Sequence, residues 1–244
     1  MTLWEAALLV LGGTAAGIIN AMAGGGSILT VPLLVLAGVS GNDANGSNRV
    51  GILVSNMTAA WSFHQQGVKA YREAVPILLP VVIGSLIGSI AISRVTDDAF
   101  ETIFGLLMLP IIFLSIRKPK VREDAETWSR ATTVVVFVLI GIYGGAIQAG
   151  VGLVLLAALT RAGFDLVTAN VIKVLITLVV TAIALPVFII NDQVRWIPAL
   201  ILTAGLGFGG WVGARIAVKG GERVIRIVMV VAAVGLAGRL LGLY

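Results

Sequence analysis

The chain consists of long apolar runs separated by short polar or glycine-rich stretches. Ten apolar segments can be delimited, at residues 3–23, 26–38, 44–66, 74–93, 99–116, 132–148, 150–161, 166–190, 196–218 and 223–243. The runs are continuous and do not alternate with period two, which favours helices over the strands of a membrane barrel. Because about 20 helical residues cross the hydrocarbon core of a bilayer, most segments are predicted to be membrane spans.

Two of the segments are too short to span. Segments 26–38 and 150–161 have only 12 or 13 residues, and each follows its predecessor through glycines rather than through a charged loop. Irregular backbone at membrane depth is tolerated where it is buried in protein or lines a cavity. We therefore expect two half-helices of broken or re-entrant elements.

Composition narrows the class of protein. Of 244 residues, 58% are hydrophobic and 12% are charged, and the mean hydropathy is +1.04. Soluble domains carry roughly 25% charged residues, so a soluble enzyme is excluded. The chain has no cysteine and one histidine, His64, so we predict no metal site and no cofactor. The net charge of +5 is explained by cytoplasmic loops rather than by a nucleic-acid partner.

The most polar stretch sets the predicted topology. Arg117–Glu126 contains four basic residues within six positions, which indicates a cytoplasmic loop. We predict an N-terminal repeat at 1–116, a cytoplasmic linker at 117–131 and a C-terminal repeat at 132–244. Alternation of the spans then places both termini outside.

The two halves resemble each other at an offset of about 125 residues. Gly84–Gly88 returns as Gly209–Gly213, and Ala44–Asn45 returns as Ala169–Asn170. In each half, the lengths of the five apolar segments follow the same order: one long, one short and three long. Five segments is an odd number, so the second half would start on the opposite side of the membrane. The predicted fold is an all-α polytopic membrane protein of two inverted-topology repeats, a pattern typical of secondary transporters. The alternative is chance identity within a shared apolar composition.

The glycine-rich stretches before the short segments are candidate binding elements. We name residues 24–27 the first break and residues 148–152 the second break. A half-helix that starts at a break directs free N–H groups and a positive dipole end toward it, which suits an anion. The alternative for these glycines is close helix packing, and packing is the preferred interpretation for the two Gly-x-x-x-Gly stretches.

Ionisable and amide side chains within the apolar segments complete the candidate site. Lys173 is either a site residue or a lysine that snorkels to the interface. Arg49 is either an anion contact or an interfacial anchor, and the asparagines are either oxyanion donors or helix caps. No catalytic constellation is found. The predicted substrate-binding set is Gly24, Gly25, Gly26, Ser27, Asn45, Asn48, Arg49, Gln148, Gly150, Gly152, Asn170 and Lys173.

Several of these residues lie in stretches that resemble a known family. Ala23–Pro32, followed by Ser47-Asn48-Arg49, resembles the first-half signature of the TauE/SafE sulfite exporter family, and Gly141–Gly152 resembles the second-half counterpart. Gly221–Arg226 also fits as the closing basic turn. Two departures are a serine and an arginine in place of the family's usual threonine and lysine around Asn48, and Gln148 in the second break.

The resemblance implies a bacterial inner-membrane permease for sulfite, a sulfonate or sulfoacetate. Such a protein moves a small anionic solute across the lipid bilayer without ATP, driven by protons or another coupling ion. Together with the repeat, it predicts alternating access around a midplane site between the two breaks. A passive anion channel and a membrane assembly protein that transports nothing are the alternatives.

Overall fold

All secondary-structure elements of the described residues are helices. A computed structural model describes residues 1–68, 70–116 and 128–240; Lys69 and residues 117–127 of the predicted linker lie outside it. The helices are α1 (Leu3–Ala23), α2 (Ser27–Leu36), α3 (Gly41–Gln65), α4 (Tyr71–Ile92), α5 (Asp97–Ile116), α6 (Arg130–Ala146), α7 (Val151–Arg161), α8 (Leu166–Ile190) and α9 (Trp196–Leu240). The all-α prediction is confirmed for these residues.

The membrane class follows from length, composition and surface. Among the described residues, four helical stretches are long and apolar enough to cross a bilayer: Leu3–Ala23, Tyr71–Ile92, Leu166–Ile190 and Trp196–Gly220. Large apolar side chains such as Leu79, Ile190 and Ile197 stand exposed on the outside of the helices. Exposing such an apolar surface to water is unfavourable, whereas contact with the apolar lipid chains of a bilayer is not.

The C-terminal part departs from the sequence prediction. Segments 196–218 and 223–243 were expected to be separated by a turn, but α9 continues from Trp196 to Leu240 over 45 residues. The predicted turn around Gly221–Arg226 is therefore wrong. Its two glycines, Gly220 and Gly221, each cost a helix only about 1 kcal/mol relative to alanine, and the flanking lysine, glutamate and arginine are good helix formers. Glycine and charge alone do not end a helix.

Helix α1 packs on α9, and α4 packs on α6, through glycines. A Cβ atom on Gly84 or Gly88 would collide with the carbonyls of Val138 and Ile142 on α6. A Cβ atom on Gly209 would likewise collide with the carbonyl of Thr14 on α1. The Gly-x-x-x-Gly stretches therefore bring helix backbones close together, as the packing interpretation predicts.

Candidate anion-binding site

Both breaks interrupt the chain where they were predicted. Helix α1 ends at Ala23, and Gly24 then adopts a left-handed conformation with φ +81°. In the second break, Gly150 (φ +74°) and Gln148 (φ +62°) are left-handed. Such angles favour glycine because it lacks a Cβ atom. Helices α2 and α7, of 10 and 11 residues, begin within these breaks, at Ser27 and Val151.

The two breaks lie against each other. A Cβ atom on Gly24 would collide with the backbone of Gly152, and a Cβ atom on Gly152 would collide with that of Gly24. Gly26 is equally close to the Ala16 carbonyl of α1, whereas Gly25 meets only side chains, with the Leu153 side chain 3.6 Å from its Cβ position. Ser27 is buried as the first residue of α2. The contact between Gly24 and Gly152 thus brings the starts of α2 and α7 together in the interior.

Arg49 is fully buried and caps the end of α6. Its NH1 donates to the Gly144 carbonyl (3.2 Å) and to Gln148 Oε1 (3.0 Å). Its NH2 donates to the carbonyls of Gly145 (2.6 Å) and Ala146 (3.0 Å). The last carbonyls of a helix have no partner within the helix, and in lipid each would cost several kcal/mol. Arg49 supplies those partners from α3, so it is not an interfacial anchor.

Lys173 plays the corresponding part for α1. Its Nζ donates to the carbonyls of Asn20 (2.6 Å) and Ala21 (3.1 Å), and its exposed fraction is 1%. It therefore does not snorkel to an interface. A cation of α3 binds the end of a helix in the second half, and a cation of α8 binds the end of a helix in the first half.

Asn45 and Asn170 likewise bind the carboxyl end of a helix in the opposite half of the chain. Asn45 Nδ2 donates to the Ala146 carbonyl at 2.8 Å, and Asn170 Nδ2 donates to the Ala21 carbonyl at 2.7 Å. Donors and acceptors both correspond at the offset of about 125 residues. Neither asparagine caps its own helix, since the N-cap positions belong to Ser40 and Asp165. Both instead satisfy the carboxyl end of a helix in the opposite half.

Threonines that the sequence interpretation missed connect the site residues. Gln148 Nε2 donates to Thr181 Oγ1 at 2.5 Å, and Thr181 donates to the Thr177 carbonyl at 2.7 Å. Thr177 in turn donates to the carbonyl of Lys173 at 2.8 Å. The spacing of four residues on α8 was the signal, because it aligns these side chains on one face. They link the second break to the helix that carries Lys173.

Two further contacts were not foreseen. Thr30 Oγ1 on α2 donates to Asn48 Oδ1 at 2.6 Å, which ties a half-helix to α3. The Phe188 ring lies 4.4 Å from the guanidinium carbon of Arg49. An aromatic face attracts a cation, more strongly when water is absent. Sequence spacing gave no sign of either contact, because both join separate helices.

Some buried polar atoms at the site have no hydrogen-bond partner among the described residues. The donors are Arg49 Nε and Asn48 Nδ2, and the acceptors include Oδ1 of Asn45 and of Asn170. Buried polar atoms in proteins are nearly always satisfied by protein, ordered water or a ligand. The site therefore retains hydrogen-bonding capacity, including two donors.

The buried charges of the described residues are both positive. Arg49 and Lys173 are buried, and no aspartate or glutamate is. The ion pair found in this part of the chain lies at the surface, where Asp43 Oδ2 is 2.7 Å from Arg195 NH2. This contact raises the pKa of Arg195. No group of three or more His, Asp or Glu side chains suited to a metal occurs among the described residues.

Comparison with known proteins identifies the family of the chain. The family model described as sulfite exporter TauE/SafE matches residues 9–240. A probable membrane transporter protein of Sinorhizobium sp. is 29% identical over 240 residues, covering 96% of this chain and 92% of the relative. A probable membrane transporter protein of Haemophilus influenzae is 26% identical over 230 residues (92% and 90% covered). The probable membrane transporter protein YfcA of Escherichia coli is 27% identical over 230 residues (93% and 86% covered). No solved structure matches the chain. The family match spans nearly the whole chain, so this protein belongs to the sulfite exporter TauE/SafE family of membrane transporters.

Proposed function

We propose that this protein is a secondary transporter for a small sulfur-containing anion such as sulfite, a sulfonate or sulfoacetate. The observation that carries the proposal is the pair of buried cations at the two breaks. Arg49 and Lys173 lie in the interior, and no buried carboxylate accompanies them in the described part of the chain. An isolated buried charge is costly, and an anion that enters the site would offset that cost.

The half-helices supply the second part of the argument. Helices α2 and α7 begin where Gly24 meets Gly152. Helix N-termini carry a partial positive charge and favour anions. The donors Arg49 Nε and Asn48 Nδ2 remain for oxyanion oxygens. We infer that the substrate-binding set is the one predicted from the sequence, extended by Thr30 and Thr181.

The transport cycle is proposed to be alternating access in a bacterial inner membrane, with both termini outside. One repeat (1–116) would rock against the other (132–244) across the two breaks, joined by the cytoplasmic linker at 117–131. The reciprocal caps, from α3 to the end of α6 and from α8 to the end of α1, agree with two halves related by a repeat. Each half contributes one cation and one amide to the other.

Flux measurements in proteoliposomes test the proposal. We expect saturable flux of sulfite, sulfoacetate, taurine or sulfate, enhanced by an imposed pH gradient if protons couple transport. Flux that does not saturate and never accumulates substrate against its gradient would indicate a passive channel. Absence of flux, together with absence of thermal stabilisation by any of these solutes, would indicate a membrane assembly protein, because a ligand of the folded state raises its apparent stability.

A variant series distinguishes the site from the rest of the protein. Replacing both Arg49 and Lys173 by glutamine is expected to abolish flux. Replacing Arg161, an exposed arginine in the last turn of α7, by glutamine should leave flux unchanged. Normal flux in the double variant would remove both cations from the mechanism.

A further inference from the structure

The charge of the site can be counted from its parts. Two cationic side chains, Arg49 and Lys173, are buried there. The carboxyl ends of α1 and α6, which these cations cap, each contribute roughly half a negative charge, and the N-termini of α2 and α7 each contribute roughly half a positive charge. The four helix ends therefore cancel. With both side chains protonated, what remains is close to two positive charges, and no buried carboxylate among the described residues offsets them.

From this count we propose that the site selects doubly charged oxyanions over singly charged ones of the same size. The inference rests on the proposed function and adds the charge of the substrate to it. A dianion would neutralise the site, whereas a monoanion would leave about one positive charge in a low-dielectric interior, where uncompensated charge is costly. Sulfoacetate and sulfate are dianions near neutral pH, where sulfite is a mixture of monoanion and dianion. Isethionate and methanesulfonate are monoanions.

The hydrogen-bonding groups agree with this selection. The two cations are already engaged by backbone carbonyls, at distances between 2.6 and 3.2 Å. Near the two cations, the buried donor atoms without any partner among the described residues are Arg49 Nε and Asn48 Nδ2, and the Lys173 ammonium has three hydrogens but donates two bonds. A fully deprotonated oxyanion accepts hydrogen bonds and donates none. The site would thus attract the ligand by its field and hold it by two neighbouring residues of α3.

The test compares ligands that match in size and differ in charge. Sulfoacetate and isethionate form one pair, and sulfate and methanesulfonate form another. Dissociation constants are measured with the purified full chain in detergent, by thermal shift and by intrinsic tryptophan fluorescence, at constant ionic strength and about pH 7.5. We expect each dianion to bind at least about tenfold more tightly than its monoanionic counterpart.

Variants then change the charge of the site by one unit. Lys173→Gln removes a cation, and we expect the preference for the dianion to fall to near parity. Gln148→Glu adds an anion beside Arg49 while keeping both cations, and the same fall is expected, so this variant carries the test if Lys173→Gln does not fold. Arg161→Gln, with the same change of net charge at the surface, should keep the wild-type preference.

The outcomes separate the inference from the proposed function. A dianion preference that collapses in Lys173→Gln or Gln148→Glu and persists in Arg161→Gln supports the inference. Equal binding of both charge classes, or tighter binding of monoanions, overturns it and leaves anion transport standing. If none of the four anions binds and none is transported, the proposed function itself fails and the inference fails with it.

Discussion

At the two breaks, the unpaired carbonyls of a helix end are bound by different cationic side chains. At each break a helix ends inside the protein, and its last carbonyls are satisfied by a cation and an asparagine from the opposite half. At the second break the cation is Arg49, which reaches three carbonyls, Gln148 and the ring of Phe188. At the first break it is Lys173, which reaches two carbonyls.

The difference shows which cation is more strongly bound by the protein. The forked guanidinium of arginine holds several acceptors at once, whereas the ammonium of lysine acts as a compact point charge. If Lys173 were lost, the Ala21 carbonyl would keep its bond from Asn170, and the Asn20 carbonyl would keep its bond from the Gly24 amide. If Arg49 were lost, only the Ala146 carbonyl would keep a side-chain donor, from Asn45. We therefore expect loss of Arg49 to lower the stability of the fold more than loss of Lys173 does. Loss of Lys173 should mainly change the charge of the ligand that the site prefers.

The largest effect is expected where the two breaks meet. Gly24→Ala combines a left-handed φ of +81° with a collision against Gly152, so we expect little folded protein. Gly38→Ala is the matched control, because Gly38 has φ +83° and no atom within 4 Å of the added methyl group. It should cost only about 1 kcal/mol. Thermal unfolding in detergent measures both variants. Equal melting temperatures would mean that contact between the breaks is unimportant.

The next effect sharpens the comparison of the two cations. Arg49→Gln should lower stability by about 3 kcal/mol, since it leaves the carbonyls of Gly144 and Gly145 without donors. Lys173→Gln should lower it by about 1 kcal/mol, because both of its carbonyls keep another donor. The measurement is the shift in unfolding temperature of the two variants side by side. A larger loss for Lys173→Gln would reverse the assignment of roles.

Sequence patterns predicted where the helices break. They did not predict that Arg49 and Lys173 cap the helix ends at these breaks. Short segments and glycines revealed where α1 and α6 end, because helix length and left-handed glycine are local properties. The offset of about 125 residues paired Asn45 with Asn170. It could not reveal that both bind helix ends in the opposite half, since that contact depends on how distant helices pack. For the same reason the sequence left Arg49 and Lys173 as interface residues or site residues, and it gave no sign of Phe188.

A smaller effect concerns the hydrogen bond from Gln148 to Thr181, which supports the second break. No corresponding bond is found at the first break among the described residues. Thr181→Val removes the acceptor of Gln148 Nε2 and leaves that buried donor unpaired, so we expect a loss of about 1–2 kcal/mol. Thr203→Val is a matched control, because Thr203 donates only to the Ala199 carbonyl of its own helix. It should change stability by less than about 0.5 kcal/mol. Unfolding temperatures of the two valine variants, measured together, check the difference. Indistinguishable values would show that Gln148 finds another partner.

The smallest effect lies at the starts of the two helices that carry the cations. Helix α8 is capped by its own Asp165, which accepts from the amides of Val167 and Thr168 at 3.0 Å. Helix α3 borrows its cap from α5, since Asp97 accepts from the amide of Asn42 at 2.9 Å. Asp165→Ala should cost about 1 kcal/mol. Asp165→Asn keeps an acceptor and should cost less.

The charge of the α8 cap gives this prediction a pH dependence. Partial desolvation raises the pKa of Asp165, but the hydrogen bonds from Thr168 and Val167 outweigh it, so the pKa lies below its ordinary value of 3.8. A carboxyl whose pKa is lowered on folding stabilises the protein above its unfolded pKa. That stabilisation disappears as the pH falls through the folded pKa. The unfolding temperatures of wild type and Asp165→Asn, compared from neutral pH down to about pH 3, should therefore converge toward the acid end. A gap that widens on acidification would mean that the carboxylate form of Asp165 stabilises α8 less than the protonated form does.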